Sequence, residues 1–63
     1  MTLAMRIKRL RKAKGLTQEG LAHRAKLSHG YIARLEIGRH DPTLSTLRKL
    51  AKALGVPVAE LLE

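Results

Sequence analysis

Cations dominate the residues that could take part in chemistry. Thirteen lysines and arginines stand against five acidic residues, so the 63-residue chain carries a net charge of +8. Its three histidines, His23, His29 and His40, have no cysteine partner and only scattered carboxylates around them in the sequence. That spacing fits neither a metal site nor a nucleophile paired with a base, and the sequence has no glycine loop of the phosphate-cradling type. We therefore expect a protein that binds a polyanion, has no enzymatic activity and needs no cofactor.

Net charge by itself leaves nucleic acid, an anionic membrane surface and an acidic protein open as partners. The longest apolar runs are only a few residues, far fewer than the roughly 20 that cross a membrane. The glycines and capping residues that divide the chain favour a folded domain over a peptide that becomes helical only on lipid. The expected protein is cytoplasmic and does not bind membranes, and its lack of cysteine is compatible with a reducing compartment.

The elements that must position these residues are helices. The apolar residues are mostly Leu and Ala, with Tyr31 the only aromatic, and this composition favours helices over strands. Capping residues and glycines divide the chain into units at about 3–14, 17–25, 28–36, 43–54 and 58–62, with Thr2, Thr17, Ser28 and Thr43 as caps of the first four. The sequence therefore predicts an all-α fold, a compact five-helix bundle that forms a single domain over residues 1–63.

Residues 17–36 carry the most specific pattern, two short helices joined by the turn Lys26-Leu27-Ser28. Small or apolar residues stand wherever this unit must pack closely: Leu21, Ala22, Ala25, Leu27, Ile32 and Leu35. The pattern indicates a helix-turn-helix, which projects the start of its second helix outward, where the major groove of DNA can receive it.

A series of short stretches along the chain carries a further likeness. They are Arg6-Ile7-Lys8-Arg9-Leu10-Arg11, Gly15-Leu16-Thr17-Gln18, Leu21-Ala22, Leu27-Ser28, Tyr31-Ile32, Leu35-Glu36, Gly38, Pro42, Leu47, Leu50-Ala51, Leu54-Gly55-Val56 and Leu61-Leu62. Through these motifs, nearly the whole chain resembles the phage-repressor and Cro-like helix-turn-helix family, also called the Xre family. The resemblance implies a lambda-repressor-like domain and a transcriptional regulator, typically a repressor, that binds a pseudo-palindromic operator in double-stranded DNA as a homodimer. The other function compatible with it is an antitoxin-type or subunit module whose main partner is a protein.

By this resemblance, the residues that read base edges are Ser28, His29, Gly30 and Arg34. Arg34 has the forked donors that suit guanine O6 and N7, or else it is an exposed arginine that contacts only phosphate. His29 reads a base, touches a phosphate or lines the groove. Gly30 departs from the pattern because it has no side chain to form a hydrogen bond. It permits close approach of the backbone, and it weakens its helix by up to about 1 kcal/mol relative to Ala.

The resemblance also implies a set of contacts to the sugar-phosphate backbone, from Thr17, Gln18, Tyr31, Arg39, His40, Thr43 and Arg9. Gln18 looks like the family's phosphate-anchoring glutamine, the alternative being that only backbone amides make this contact. Tyr31 either bonds a phosphate through its hydroxyl or packs beside its helix, and residues 39–40 are otherwise a solvated turn. Arg9 is chosen from the basic residues 6–14, most of which are expected to be solvated.

Three further expectations concern packing. Arg11 and Glu36 match a pair that forms a largely buried salt bridge in the family; alternatively, Arg11 contacts phosphate. Lys26 stands where the family commonly has a left-handed glycine, which implies modest strain or an altered turn. An apolar set near the end of the sequence is expected to form a dimer interface, unless it completes the core of the monomer: Val56, Val58, Leu61 and Leu62.

Overall fold

Five α-helices make up the computed structural model, which describes residues 2–62. The helices are α1 (Leu3–Ala13), α2 (Gln18–Ala25), α3 (His29–Glu36), α4 (Leu44–Leu54) and α5 (Ala59–Leu62). No strand occurs within the described residues, and the all-α expectation is confirmed. Because α2 packs against α3 and α4 while α1 packs against α3 and α5, α3 is supported by α1 and α2 and turns its remaining side outward.

Each of the first four helices begins at the hydroxyl residue that the sequence predicts as its cap. The side-chain oxygens of Thr2, Thr17, Ser28 and Thr43 accept the backbone N–H of Met5, Gly20, Tyr31 and Thr46, at 3.2, 2.9, 3.0 and 3.2 Å. A cap of this kind satisfies one of the N–H groups that a helix start leaves without a partner. The predicted bounds agree within a residue or two, since α1 ends at Ala13 and α5 begins at Ala59.

The hydrophobic core takes residues from all five helices: Ile7, Leu21, Ala22, Ala25, Ile32, Leu35, Leu47, Leu50, Ala51, Leu54 and Leu61. Ile32 and Leu35 are the apolar residues that seat α3 in this core. The small side chains of Ala22 and Ala25 are buried on α2, which lets the helices around them approach closely. The core thus fixes one side of α3 and leaves the side with His29 and Arg34 exposed.

The terminal helix departs from one expectation. Leu61 is only 1% exposed and packs into the core, so it has almost no surface left for a second subunit. Because α5 packs on α1, this residue matches the alternative, completion of the monomer's core. Leu62 is 61% exposed, and Val56 and Val58 are half-buried. These three side chains are what remains of the expected dimer surface.

The turn between α2 and α3 has the usual shape, and Lys26 adopts a strained, left-handed backbone conformation within it. Among residues 2–62, Lys26 is the one non-glycine residue with positive φ, at φ 58° and ψ 42°. Its N–H bonds the carbonyl of His23 at 3.3 Å, and the N–H of Leu27 bonds the carbonyl of Ala22 at 2.9 Å. These two bonds form the Schellman pattern that a glycine usually closes. A lysine therefore occupies a left-handed position without altering the turn.

Replacing Lys26 with glycine is expected to stabilise the fold. The substitution removes left-handed strain of about 1–2 kcal/mol, while the greater freedom of glycine in the unfolded chain offsets part of this gain. We expect the free energy of unfolding, measured by urea denaturation, to rise by about 0.5–1 kcal/mol. Lys14→Gly is the matched control, because Lys14 caps α1 with φ −89° and gains nothing from glycine. Equal free energies of unfolding for the two variants would contradict the proposal that the backbone of Lys26 is strained.

Candidate nucleic-acid interface

A buried ion pair fixes the position of α3 against the rest of the chain. The Nε of Arg11 donates to Oε2 of Glu36 at 2.7 Å, and its Nη2 donates to Oε1 of the same carboxylate at 3.1 Å. The Nη1 of Arg11 donates to the backbone carbonyl of Leu16 at 2.7 Å. Both charged residues are 8% exposed. The bidentate geometry, which is the strongest form of this contact, ties α1, the loop after α1 and the last residue of α3 together.

Gln18 extends this network from the core to the surface. It is the first residue of α2, and its Nε2 donates to Oε1 of Glu36 at 3.1 Å. Because a carboxylate only accepts hydrogen bonds, this contact fixes which end of the amide faces Glu36. The other end, Oε1, lies 3.2 Å from Nε2 of His29. Both ends of the Gln18 amide are therefore engaged within the chain, which was not expected of a side chain assigned to phosphate.

His29 begins α3 and is held by two residues of α2. Since Oε1 of Gln18 can only accept, Nε2 of His29 carries the hydrogen in their contact. Its Nδ1 lies 3.7 Å from Oε1 of Glu19, and the side chain remains 52% exposed. The ring is thus oriented by the start of α2 while much of its surface stays open to a ligand.

Arg34 lies farther along α3 and makes a second network with the segment before α4. Its Nε donates to Nε2 of His40 at 2.9 Å. The ring of His40 packs against that of Tyr31, with 5.1 Å between centroids and a tilt of 35°. Gly30 and Arg34 stand four residues apart on the helix, so they share a face. Arg34, Gly30 and His40 are all exposed, whereas Tyr31 is half-buried.

The remaining predicted contact residues lie around α3, and most are exposed. Thr17 and Thr43 cap α2 and α4, so they stand beside the outward-pointing N–H groups of two helix starts. Ser28 caps α3, Arg39 lies in the segment after it, and Arg9 is on α1; all three are exposed. Of the predicted contact residues, the structure brings Gln18 and His29 into one side-chain network and Tyr31, Arg34 and His40 into another.

The links within these networks are what the sequence reasoning missed. Gln18 and His29 belong to different helices, and nothing in their spacing predicts the contact. The approach of His40 to Arg34 has a partial signal in Gly38, whose φ of +77° turns the chain back at the end of α3. The N–H of Arg39 then bonds the carbonyl of Arg34 at 2.9 Å, which brings the next residue beside the Arg34 side chain.

Within residues 2–62, no group of three or more His, Cys, Asp or Glu side chains is arranged to hold a metal ion. Over the same residues, no helix has both the length and the apolar character needed to cross a membrane.

The chain belongs to the helix-turn-helix family, whose model matches residues 7–61. It is 48% identical over 61 residues to the immunity repressor protein of Bacillus phage phi105, an alignment that covers 97% of this chain and 42% of that protein. It is 53% identical over 53 residues to an uncharacterized HTH-type transcriptional regulator of Sinorhizobium fredii, covering 84% of this chain and 69% of the relative. The expected family is therefore confirmed, and the chain spans less than half the length of the phage protein.

Solved structures support the same assignment. The restriction-modification controller protein C.AhdI from Aeromonas hydrophila is similar with a TM-score of 0.92 and 39% identity, over 94% of this chain and 89% of that one. SinR, a master regulator for biofilm formation solved in complex with DNA, is similar with a TM-score of 0.94 and 32% identity, over 98% of this chain and 100% of that one. The arrangement of the five helices is therefore that of helix-turn-helix regulators.

Breaking the ion pair is expected to unfold much of the protein. Removing one partner leaves the other charge buried without compensation, so Arg11→Met and Glu36→Leu should each lower the free energy of unfolding by about 3–5 kcal/mol. The double variant should recover part of this loss, because it leaves no unpaired charge. Chemical denaturation of all three measures the coupling, and Lys12→Met on the exposed side of α1 is the control. Normal folding of Arg11→Met with loss of DNA binding alone would instead make Arg11 a phosphate contact.

Proposed function

We propose that this chain is the DNA-binding domain of a transcriptional regulator and that it places α3 in the major groove of an operator. The observation that carries the proposal is the exposed face of α3, on which neighbouring side chains orient His29 and Arg34. The net charge of +8, the family membership and the similarity to SinR, which was solved with DNA, support it. Because the chain spans 42% of the phage immunity repressor, repression by the whole protein is part of the proposal.

Base reading is assigned to the exposed side chains of α3 and its cap: Ser28, His29 and Arg34. The major groove presents a different pattern of donors and acceptors for each base pair. Arg34 supplies paired donors that match O6 and N7 of guanine, the commonest specific contact in this groove. His29 lies five residues, about 1.4 turns, nearer the start of α3, and its side chain is 52% exposed to a neighbouring base.

The phosphate contacts are assigned to residues outside the reading set: Thr17, Gln18, Tyr31, Arg39, Thr43 and Arg9. The starts of α2 and α4 favour an anion, because their first N–H groups point outward and the helix dipole is positive there. At α2 the backbone is the better candidate than the Gln18 amide, because Glu36 and His29 already engage that side chain. Such contacts hold the protein on any duplex and set its register without reading sequence.

The active species is proposed to be a homodimer. The exposed Leu62, with the half-buried Val56 and Val58 nearby in the sequence, offers an apolar surface for a second copy. A two-fold dimer would present two α3 helices to half-sites about 34 Å apart, one turn of DNA. The operator is therefore expected to be a pseudo-palindrome.

Selection of bound duplexes from a random pool tests the proposed function. We expect a pseudo-palindromic consensus whose half-site centres are about 10 base pairs apart. Titration of the selected duplex at several salt concentrations should give a linear fall of log affinity with log salt, because bound phosphates release their counterions. Recovery of random sequences, together with an affinity that does not change with salt concentration, would contradict DNA binding as the function of this chain.

Removing the proposed guanine contact should weaken specific binding selectively. Arg34→Ala is expected to cost about 1–3 kcal/mol on the selected duplex and much less on random sequence, because only the former presents the base that Arg34 reads. Competition titrations with both duplexes give the two values. Arg24→Ala is the matched control, since Arg24 is an equally exposed arginine in the last turn of α2. Equal losses on the two duplexes would identify Arg34 as a phosphate contact.

A further inference from the structure

We propose that Gly30 and His40 determine specificity by positioning the guanidinium of Arg34, rather than by the direct DNA contacts that the family resemblance implies for them. The two residues meet different nitrogens of this group: Gly30, in the first turn of α3, lies beside Nη1, and His40, in the segment before α4, lies beside Nε. The inference rests on the proposed function, in which Arg34 reads a base.

His40 holds the inner nitrogen of the guanidinium. Nε of Arg34 is a donor only, so Nε2 of His40 is the acceptor in their 2.9 Å contact and its hydrogen stands on Nδ1. With Nε anchored, the two terminal nitrogens of Arg34 form the edge that remains for a ligand. A base presenting two acceptors, as guanine does with O6 and N7, fits this edge. Rotation of the long side chain is restricted before DNA arrives, which lowers the entropy lost on binding.

The chain reversal after α3 and the ring of Tyr31 place His40 beside Arg34. The left-handed Gly38, at φ +77°, reverses the chain after α3, and the N–H of Arg39 closes this reversal on the carbonyl of Arg34. The ring of Tyr31 lies 5.1 Å from that of His40. Because Tyr31 and Arg34 are three residues apart on one helix face, the imidazole lies across both of them. It is therefore a fixed part of the α3 surface.

Gly30 leaves the space that the other side of the guanidinium occupies. A Cβ at this position would lie 3.2 Å from Nη1 of Arg34 and 4.0 Å from its Cζ. The first distance is shorter than ordinary van der Waals contact, so with an alanine here Nη1 of Arg34 would have to shift by a few tenths of an ångström. The backbone has no need of glycine here, since the φ of Gly30 is not positive and alanine is the better helix former. Space for the Arg34 guanidinium is therefore a physical reason for a glycine at position 30, and it does not require close approach of the backbone to DNA.

Five proteins, compared in the same selection and competition titrations, test the inference: the wild type, Arg34→Ala, Gly30→Ala, His40→Leu and His40→Gln. The base that Arg34→Ala ceases to prefer marks the position that Arg34 reads. Gly30→Ala and His40→Leu should each lower the preference for that base about fivefold to tenfold, a part of what a bidentate contact contributes. Affinity for random duplex should stay within about twofold. His40→Gln should retain most of the preference, because its amide oxygen can accept from Nε of Arg34.

Two measurements separate positioning from a structural or direct role. In the Arg34→Ala background, Gly30→Ala and His40→Leu should change base preference no further, since residues that act through Arg34 are not additive with it. In the free protein, the NMR signal of the Arg34 Nε–H should be protected from solvent exchange in the wild type and His40→Gln, and exposed in His40→Leu. Gly30→Ala should raise the thermal midpoint while lowering specificity, a combination that damage to the fold cannot produce.

Three outcomes would contradict the inference, and the last of them would also contradict the proposed function. Equal weakening of selected and random duplex by His40→Leu would make His40 a phosphate contact and defeat the inference, while DNA recognition by α3 would stand. A loss caused by Gly30→Ala that persists without Arg34 would show that the glycine backbone itself approaches DNA, and it would also defeat the inference. A wild-type protein with neither sequence preference nor salt-dependent binding would remove the proposed function together with the inference.

Discussion

The bidentate pairing of Arg11 with Glu36 is the contact on which the geometry of this protein depends. Two buried charges must pair closely, because the free-energy penalty of an unpaired buried charge is larger than the stabilisation that a single apolar contact in this small core provides. Glu36 is the last residue of α3, and Arg11 also holds the carbonyl of Leu16 just before α2. The direction of α3 relative to α1 and α2 is therefore set at its far end, one core layer beneath the surface that meets the ligand.

Local propensity contributes little to α3, so tertiary contacts must hold it. The helix has eight residues, opens with His29 and Gly30, and has no acidic residue in its first turn to favour the dipole. Isolated helices of this length are marginal in water. Contacts at both ends supply what the sequence of α3 lacks: Gln18 bonds its first residue, and the segment after Gly38 folds back on its last turn. The same contacts that order the helix also orient the side chains on it.

The parts of the structure that sequence predicts are those that local chemistry decides. Hydroxyl residues cap four helices because each bonds an N–H three residues away, so Thr17 and Ser28 mark their helix starts without knowledge of the fold. For Lys26 the sequence allowed either backbone strain or an altered turn, because tertiary packing decides which of the two has the lower free energy. Leu61 is buried in the core, which its apolar spacing could not decide, because that spacing is the same for a core and for an interface. The contacts of Gln18 and His40 depend on rotamers across turns, which no spacing encodes.

The two networks link the residues proposed to read bases to the residues and segments proposed to contact the DNA backbone. His40 lies in the segment proposed to contact phosphate, and it also bonds Arg34. A displacement of this segment would therefore also displace the Arg34 side chain, which is proposed to read a base. At the other end of α3, Gln18 stands at a helix start proposed to meet phosphate and bonds both His29 and Glu36. In the proposed function, seating on the DNA backbone and orientation of the reading side chains therefore depend on each other, because His40 and Gln18 connect the two sets of residues.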